Sequence, residues 1–129
     1  MRLLEEVGDV TPGQHAIGRR TAKPDDFYFQ GHFPNRPIVP AVILVELLAQ
    51  TGGIAVATGD AEQVQQPIQL RVAGLGPFKF PAAARPGAIL EATARVAGRF
   101  GGVFKIEGTV TADGVLVASG SIVLGSPTR

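Results

Sequence analysis

Two side chains stand where the sequence can hold them still for proton transfer: His32 and Glu46. His32 lies in the stretch Phe29-Gln30-Gly31-His32-Phe33-Pro34-Asn35-Arg36-Pro37-Ile38-Val39-Pro40. Pro34, Pro37 and Pro40 each fix φ, so this loop is stiff, and Gly31 relaxes the backbone just before the histidine. A neutral imidazole on a stiff backbone suits a general base near pH 7, because positioning decides its efficiency. Glu46 is the second anomaly, flanked by Val45, Leu47 and Leu48 in an otherwise apolar run. A carboxylate buried there is costly unless it is paired or protonated. Gln50 falls on the same helical face, as do Ala49 and Gly53, so one stripe is small or polar and leaves room for a ligand or a close partner. Each residue has a plainer reading. His32 alone could be a packed or surface histidine, and Glu46 alone could pair with an arginine or reach solvent at an interface. The coincidence of a Gly-His-Phe-Pro segment, repeated prolines and a helix carboxylate is more specific than any one of them.

The elements that must position these residues follow from periodicity. One convincing helix starts at Pro40, where a missing N–H is harmless, and continues to about Thr58 with Gly59 as its stop. Gly52-Gly53 inside it weakens it locally or permits close packing. The second half reads as β. From Ala88 to Ala97 the even positions are apolar and the odd ones include Glu91, Thr93 and Arg95. A similar alternation starts at Phe104, and Val115 to Leu124 forms the last strand. Gly98 to Gly102 reads as a hairpin loop and Asp113-Gly114 as a tight turn. Residues 68 to 80 form an earlier strand bent at Gly74 or Gly76, and weaker strands are expected near residues 2–8 and 14–22. The expected fold class is α+β: a curved antiparallel sheet of about six strands around one long buried helix, in a single domain over residues 1–129.

Composition bounds the chemistry. A chain of 129 residues fits one domain and has little volume for a deep pocket of its own. With 45% hydrophobic and 18% charged residues it is no disordered chain, and a net charge of +1 carries no general nucleic-acid signal. The absence of cysteine excludes disulfides, thiol chemistry and zinc sites built on cysteine, and two histidines are too few for a His-rich metal site. Glu5, Glu6 and Asp9 interrupt any signal-peptide pattern. The apolar run from Ile38 to Ala57 is long enough to raise the membrane question, but Pro40, Glu46, Gln50 and the glycine pair argue for a helix buried in protein. The expected compartment is therefore the cytoplasm. His15 reads as structural, Asp25-Asp26 as a solvated turn, and Phe27 and Tyr28 as packing or as the mouth of a tunnel. Arg36, Arg71, Lys79, Arg85 and Arg99 could form a basic rim for an acidic partner, though scattered surface charge explains most of them.

The stretch from Phe29 to Ala41, with Glu46 and Ala49-Gln50 following, resembles the β-hydroxyacyl-acyl-carrier-protein dehydratases of the FabZ/FabA type. Phe78-Lys79-Phe80-Pro81 with Pro86-Gly87 is a second, weaker match, and the resemblance spans residues 2 to 124. It implies a hot-dog fold, dimers or trimers of dimers, and an active site between two subunits, with His32 from one chain and Glu46 from the other. It also implies a reaction: loss of water from a (3R)-3-hydroxyacyl thioester on acyl carrier protein, giving the trans-2-enoyl thioester. His32 would be the base at the α-carbon. Glu46 could hold the proton that the departing hydroxyl needs, with Gln50 orienting it, although which of the two donates that proton stays open. The thioester oxygen would face the helix N-terminus near Ala41, with Gly31 as a further supporting residue. Phe33, Pro40, Phe78 and Phe80 are the expected tunnel residues.

The chain departs from the family pattern in places. Ala41 and Asn35 replace usual glycines, the segment between Pro81 and Pro86 is longer than expected, and the usual proline-rich N-terminal lead is absent. If Ala41 had to adopt φ > 0 it would cost on the order of 1 kcal/mol; as an ordinary helix start it costs nothing. Three competing readings remain. A hot-dog thioesterase would hydrolyse the same thioester, a FabA-like subtype would also isomerise the double bond, and a non-catalytic subunit would only bind acyl carrier protein or an active partner. His32 within its motif argues against the first, Glu46 in place of the second subtype's aspartate against the second, and both residues together against the third.

Overall fold

A computed structural model describes residues 3–29, 37–57 and 70–125. Six strands form one antiparallel sheet: β1 (Glu6–Thr11), β2 (His15–Thr21), β3 (Arg71–Lys79), β4 (Ile89–Phe100), β5 (Val103–Ala112) and β6 (Val115–Gly125). Their order in space is β1-β2-β4-β5-β6-β3, so β1 and β3 are the edges. Among the described residues one α-helix, α1 (Ala41–Ala57), packs across one face.

Sequence periodicity explains why the sheet closes on the helix. Leu90, Ala92 and Ala94 of β4 are fully buried while Glu91, Thr93 and Arg95 between them are not. Ala16, Ala92 and Ala94 carry only a methyl, which lets the helix approach the middle of the sheet. Leu47 and Leu48 fill that interface, with Leu90, Ile106, Val110 and Ile122 in the same core. Gly52 is buried against β5, where a Cβ would come within 3.0 Å of Ile106, so this glycine serves close packing. Around Gly53 there is nothing within 4 Å of that position, and it lies on the helix side the core leaves uncovered.

The turns largely follow the expected chemistry. Asp113 (φ 49) and Gly114 (φ 84) both take the left-handed conformation that a two-residue hairpin needs. The Asp113 side chain also accepts a 2.9 Å hydrogen bond from Ile89 N–H, tying the turn to β4. The β4–β5 hairpin is tighter than the sequence suggests: β4 runs on to Phe100 and only Gly101-Gly102 turn, with a register shift between Val96 and Gly98 absorbing the irregularity. Strand β3 carries two register shifts, between Val72 and Gly74 and between Leu75 and Phe78, at the expected bends. The first strand begins at Glu6 rather than residue 2, because Leu3 and Leu4 are core side chains outside the ladder. The helix ends at Ala57; the expected stop, Thr58-Gly59, lies outside the described residues, as does the start of the strand expected from residue 68.

Candidate active site

The helix positions the candidate acid. With one side of α1 buried on the sheet, Val42 is exposed and Glu46, Gln50 and Gly53 are only partly buried, so they share the less covered side of the helix, while Val45 is partly buried against the core. Val42 is 70% exposed. Ala49, expected on the same stripe, is instead buried in the core. Glu46 is half-buried, and its Oε2 accepts a 2.9 Å hydrogen bond from Gln50 Nε2, one helical turn on. The other end of the same amide, Gln50 Oε1, accepts from Leu3 N–H at 2.8 Å and from Leu4 N–H at 3.4 Å.

The helix start is equally defined. Pro40 precedes the first helical residue and its carbonyl accepts from Ile43 N–H at 3.0 Å. Ala41 is exposed and does not adopt φ > 0, so alanine sits there as an ordinary helix start without strain. First-turn N–H groups have no partner within a helix, and the dipole favours negative charge beside them. Val39 N–H donates to Ala84 C=O at 2.8 Å, and Ala84 is itself buried. Ala84, in the long segment between Pro81 and Pro86, thus packs inward and braces the residues leading into the helix.

Of the expected tunnel residues, Phe78 is half-buried against the core and stacks on Phe80, with ring centroids 5.8 Å apart and planes 15° apart. Phe80 is 44% exposed and Pro40 is half-buried. Phe78 lies over Gly120 of β6, where a Cβ would come within 2.6 Å of the ring, so that glycine makes the ring's seat. His32, Gly31 and Phe33 lie outside the described residues, as do Asn35 and Arg36. Arg71, Lys79 and Arg85 are exposed, whereas Arg99 donates to Gly13 C=O at 2.8 Å and lies over the Phe104 ring. His15 Nδ1 is 3.0 Å from Asp9 C=O, a structural contact in β2. A concavity of about 520 Å³ opens on the outer face of the sheet, lined by Thr93, Arg95, Glu107 and Ser121 among others, and includes none of the described candidate residues.

A second expectation fails. Asp26 is no solvated turn residue: its carboxylate pairs with Arg20 at 2.9 Å, with side chains only 13% (Arg20) and 10% (Asp26) exposed. It also accepts from Tyr28 OH at 2.6 Å and from Lys23 N–H at 2.9 Å. Burial pushes the Asp26 carboxyl up, but the bonds from Tyr28, Lys23 N–H and Arg20 outweigh it and hold it below its ordinary value. Burial, and then the bond to Asp26, push the Tyr28 phenol up to about 12. Tyr28 and Phe29 are buried in a single 3-10 turn, Phe27–Phe29, so this cluster anchors the chain just before the His32 segment. Arg20 sits in an ordinary strand pattern, and no sequence signal pairs it with Asp26.

Among the described residues no cluster of His, Asp or Glu could hold a metal ion, and no helix is long and apolar enough to cross a membrane.

Comparison with known proteins agrees with this architecture. The FabA-like domain family matches residues 1–121. The 3-hydroxyacyl-[acyl-carrier-protein] dehydratase FabZ of Roseiflexus sp. (strain RS-1) is 35% identical over 121 residues, covering 94% of this chain and 82% of that protein. The protein of the same name from Cereibacter sphaeroides (strain ATCC 17025 / ATH 2.4.3) is 34% identical, covering 90% of this chain and 74% of that one. Among solved structures, the chain is similar to the dehydratase heterocomplex ApeI:P from Xenorhabdus doucetiae, with a TM-score of 0.78 at 18% identity over 99% of this chain and 84% of that chain. The E. coli PaaI protein of the phenylacetic acid degradation operon gives 0.71 at 14% identity, over 95% and 79%. At such identities these two structures speak for the fold alone, and it is the hot-dog arrangement expected from the sequence.

Proposed function

The chain belongs to the FabA-like family, and from that premise we propose that it is a 3-hydroxyacyl-[acyl-carrier-protein] dehydratase of fatty-acid or related acyl biosynthesis. The substrate is a (3R)-3-hydroxyacyl thioester on the phosphopantetheine arm of acyl carrier protein, and the products are the trans-2-enoyl thioester and water. The observation that supports this most is the Glu46 carboxylate, held by Gln50 on a partly exposed helix stripe, in a chain that also carries the Gly31-His32-Phe33-Pro34 motif.

The chemistry assigns roles by charge. Neutral His32 takes the α-proton, and the electron pair of that C–H bond becomes the new double bond. Glu46, directly or through a water, supplies the proton with which the β-hydroxyl leaves as water. The proton on His32 then returns to the carboxylate side through solvent, restoring both groups. Negative charge developing on the thioester oxygen is stabilised at the N-terminus of α1, where Ala41 keeps the N–H a glycine would offer. Gly31 supports the His32 backbone, and Phe33, Pro40, Phe78 and Phe80 line the acyl tunnel. No metal or organic cofactor is needed for these steps.

The partly exposed stripe around Glu46, with Val42 70% exposed one turn before it, supports an assembly in which a second copy completes each site, as a homodimer or a trimer of dimers. His32 of one protomer then faces Glu46 of its partner. The test is mass spectrometry of 3-hydroxyacyl-carrier-protein substrates of several chain lengths. Loss of one water, abolished in His32→Ala, is expected. Release of free acid would move the activity to thioester hydrolysis. No change at any length, with wild type equal to His32→Ala, would overturn the enzymatic reading.

A further inference from the structure

We propose that the backbone N–H of Leu3, ahead of β1, is a positioning group for the reaction, because it fixes which way the Gln50 amide faces Glu46. This rests on Glu46 serving the reaction as proposed above. A glutamine amide can turn over about its last bond, exchanging its oxygen and its NH₂. With the NH₂ toward Glu46, Gln50 donates to Oε2 at 2.9 Å; turned over, its carbonyl oxygen would repel the ionised carboxylate and would draw the proton of the neutral acid to Oε2, away from the substrate. Leu3 N–H selects the productive orientation: it donates to Gln50 Oε1 at 2.8 Å and would have no acceptor in an NH₂ group, and Leu4 N–H adds a longer contact at 3.4 Å. One donor at one end of the amide thereby sets a donor at the other end, and Oε2 of Glu46 is engaged, which leaves Oε1 as the oxygen that exchanges protons.

The segment is built to hold that position. The side chains of Leu3 and Leu4 are 1% and 8% exposed, both in the core. The Leu3 carbonyl accepts from Arg20 Nη1 at 3.1 Å, and Glu5 N–H donates to Arg19 C=O at 2.9 Å. Arg20 is in turn locked to Asp26 beside the 3-10 turn that leads into the His32 segment. A single hydrogen-bonded path therefore runs Asp26–Arg20–Leu3–Gln50–Glu46, from the approach to one candidate catalytic residue to the other.

The test replaces the Leu3 amide by an ester in the full-length chain. This removes the N–H and keeps the buried leucine side chain. The expected result is a fall of about tenfold in kcat with KM nearly unchanged, the size associated with slight misplacement of a catalytic group. Gln50→Met should lower kcat by at least as much. In the Gln50→Met background the ester should have no further effect on kcat, because both changes act through one amide. A merely structural role for Leu3 N–H would lower kcat equally in both backgrounds, in step with a fall in melting temperature, and would overturn the proposal. An ester variant with wild-type kcat, alongside a dead Glu46→Gln, would also overturn it while leaving the role of Glu46 intact. A Glu46→Gln variant as active as wild type would remove the reading on which the proposal stands.

Discussion

Replacing Asp26 by alanine should destabilise the fold far more than its place in a polar run of the sequence suggests. The substitution strips Arg20 of its carboxylate partner at 2.9 Å and Tyr28 OH of its acceptor at 2.6 Å. Arg20 is 13% exposed at the side chain, so solvent only partly replaces what is lost. Breaking one partner of a fully buried pair costs roughly 3–5 kcal/mol, and the residual exposure places this pair at the lower end, about 3 kcal/mol. For a chain of this size about 4 °C of melting temperature accompanies each kcal/mol, which gives a fall of about 12 °C. Urea unfolding at pH 7 followed by circular dichroism measures the free energy, and thermal unfolding the temperature. The pH dependence adds a sign. Asp26 is held below its ordinary 3.8, so its contribution is complete above that pH and is lost as pH falls through the lower folded value. The gap between wild type and Asp26→Ala should be full at pH 7 and shrink below about pH 4. A loss under about 1 kcal/mol at pH 7, the value for a solvated surface pair, would refute the reasoning.

Other outcomes follow from single contacts. Gly120→Ala puts a Cβ within 2.6 Å of the Phe78 ring, so it should cost about 1–3 kcal/mol in urea unfolding and shift preference among acyl-chain lengths as the ring moves. Unchanged length preference in a folded variant would remove Phe78 from the tunnel. Tyr28, pushed up to about 12, stays protonated in the folded chain after it would ionise in the unfolded one. Stability should therefore fall from about pH 10 to pH 12 in wild type, and the fall should be shallower in Tyr28→Phe, as read by urea midpoints across that range.

How much of this was legible in the sequence depends on whether the signal was local. The alternation in β4 from Leu90 to Val96 and the Asp113-Gly114 turn are written in neighbouring residues, and both formed as read. The Glu46–Gln50 pair was legible because helical spacing alone brings the two together. Strand ends were less so: β4 runs through Gly98 to Phe100 because pairing with β5 outweighs glycine's weak preference for strands. Asp26 was misread because its partner Arg20 comes from a neighbouring strand, and a two-residue acidic run looks the same whether or not an arginine waits beneath it. The Leu3 contact could not have been read at all, since every residue except proline carries a backbone N–H and only the fold selects one.

The central claim is a water-eliminating site built from His32 of one protomer and Glu46 of its partner, and subunit complementation tests it most directly. His32→Ala and Glu46→Gln should each be inactive as homodimers in the carrier-protein dehydration assay. Mixed by refolding or subunit exchange, half of the dimers are hybrids, and each hybrid holds one intact site, so about one quarter of wild-type dehydration should return. If subunit exchange is verified by native mass spectrometry and no activity returns, the two residues do not act across the interface and the account is contradicted.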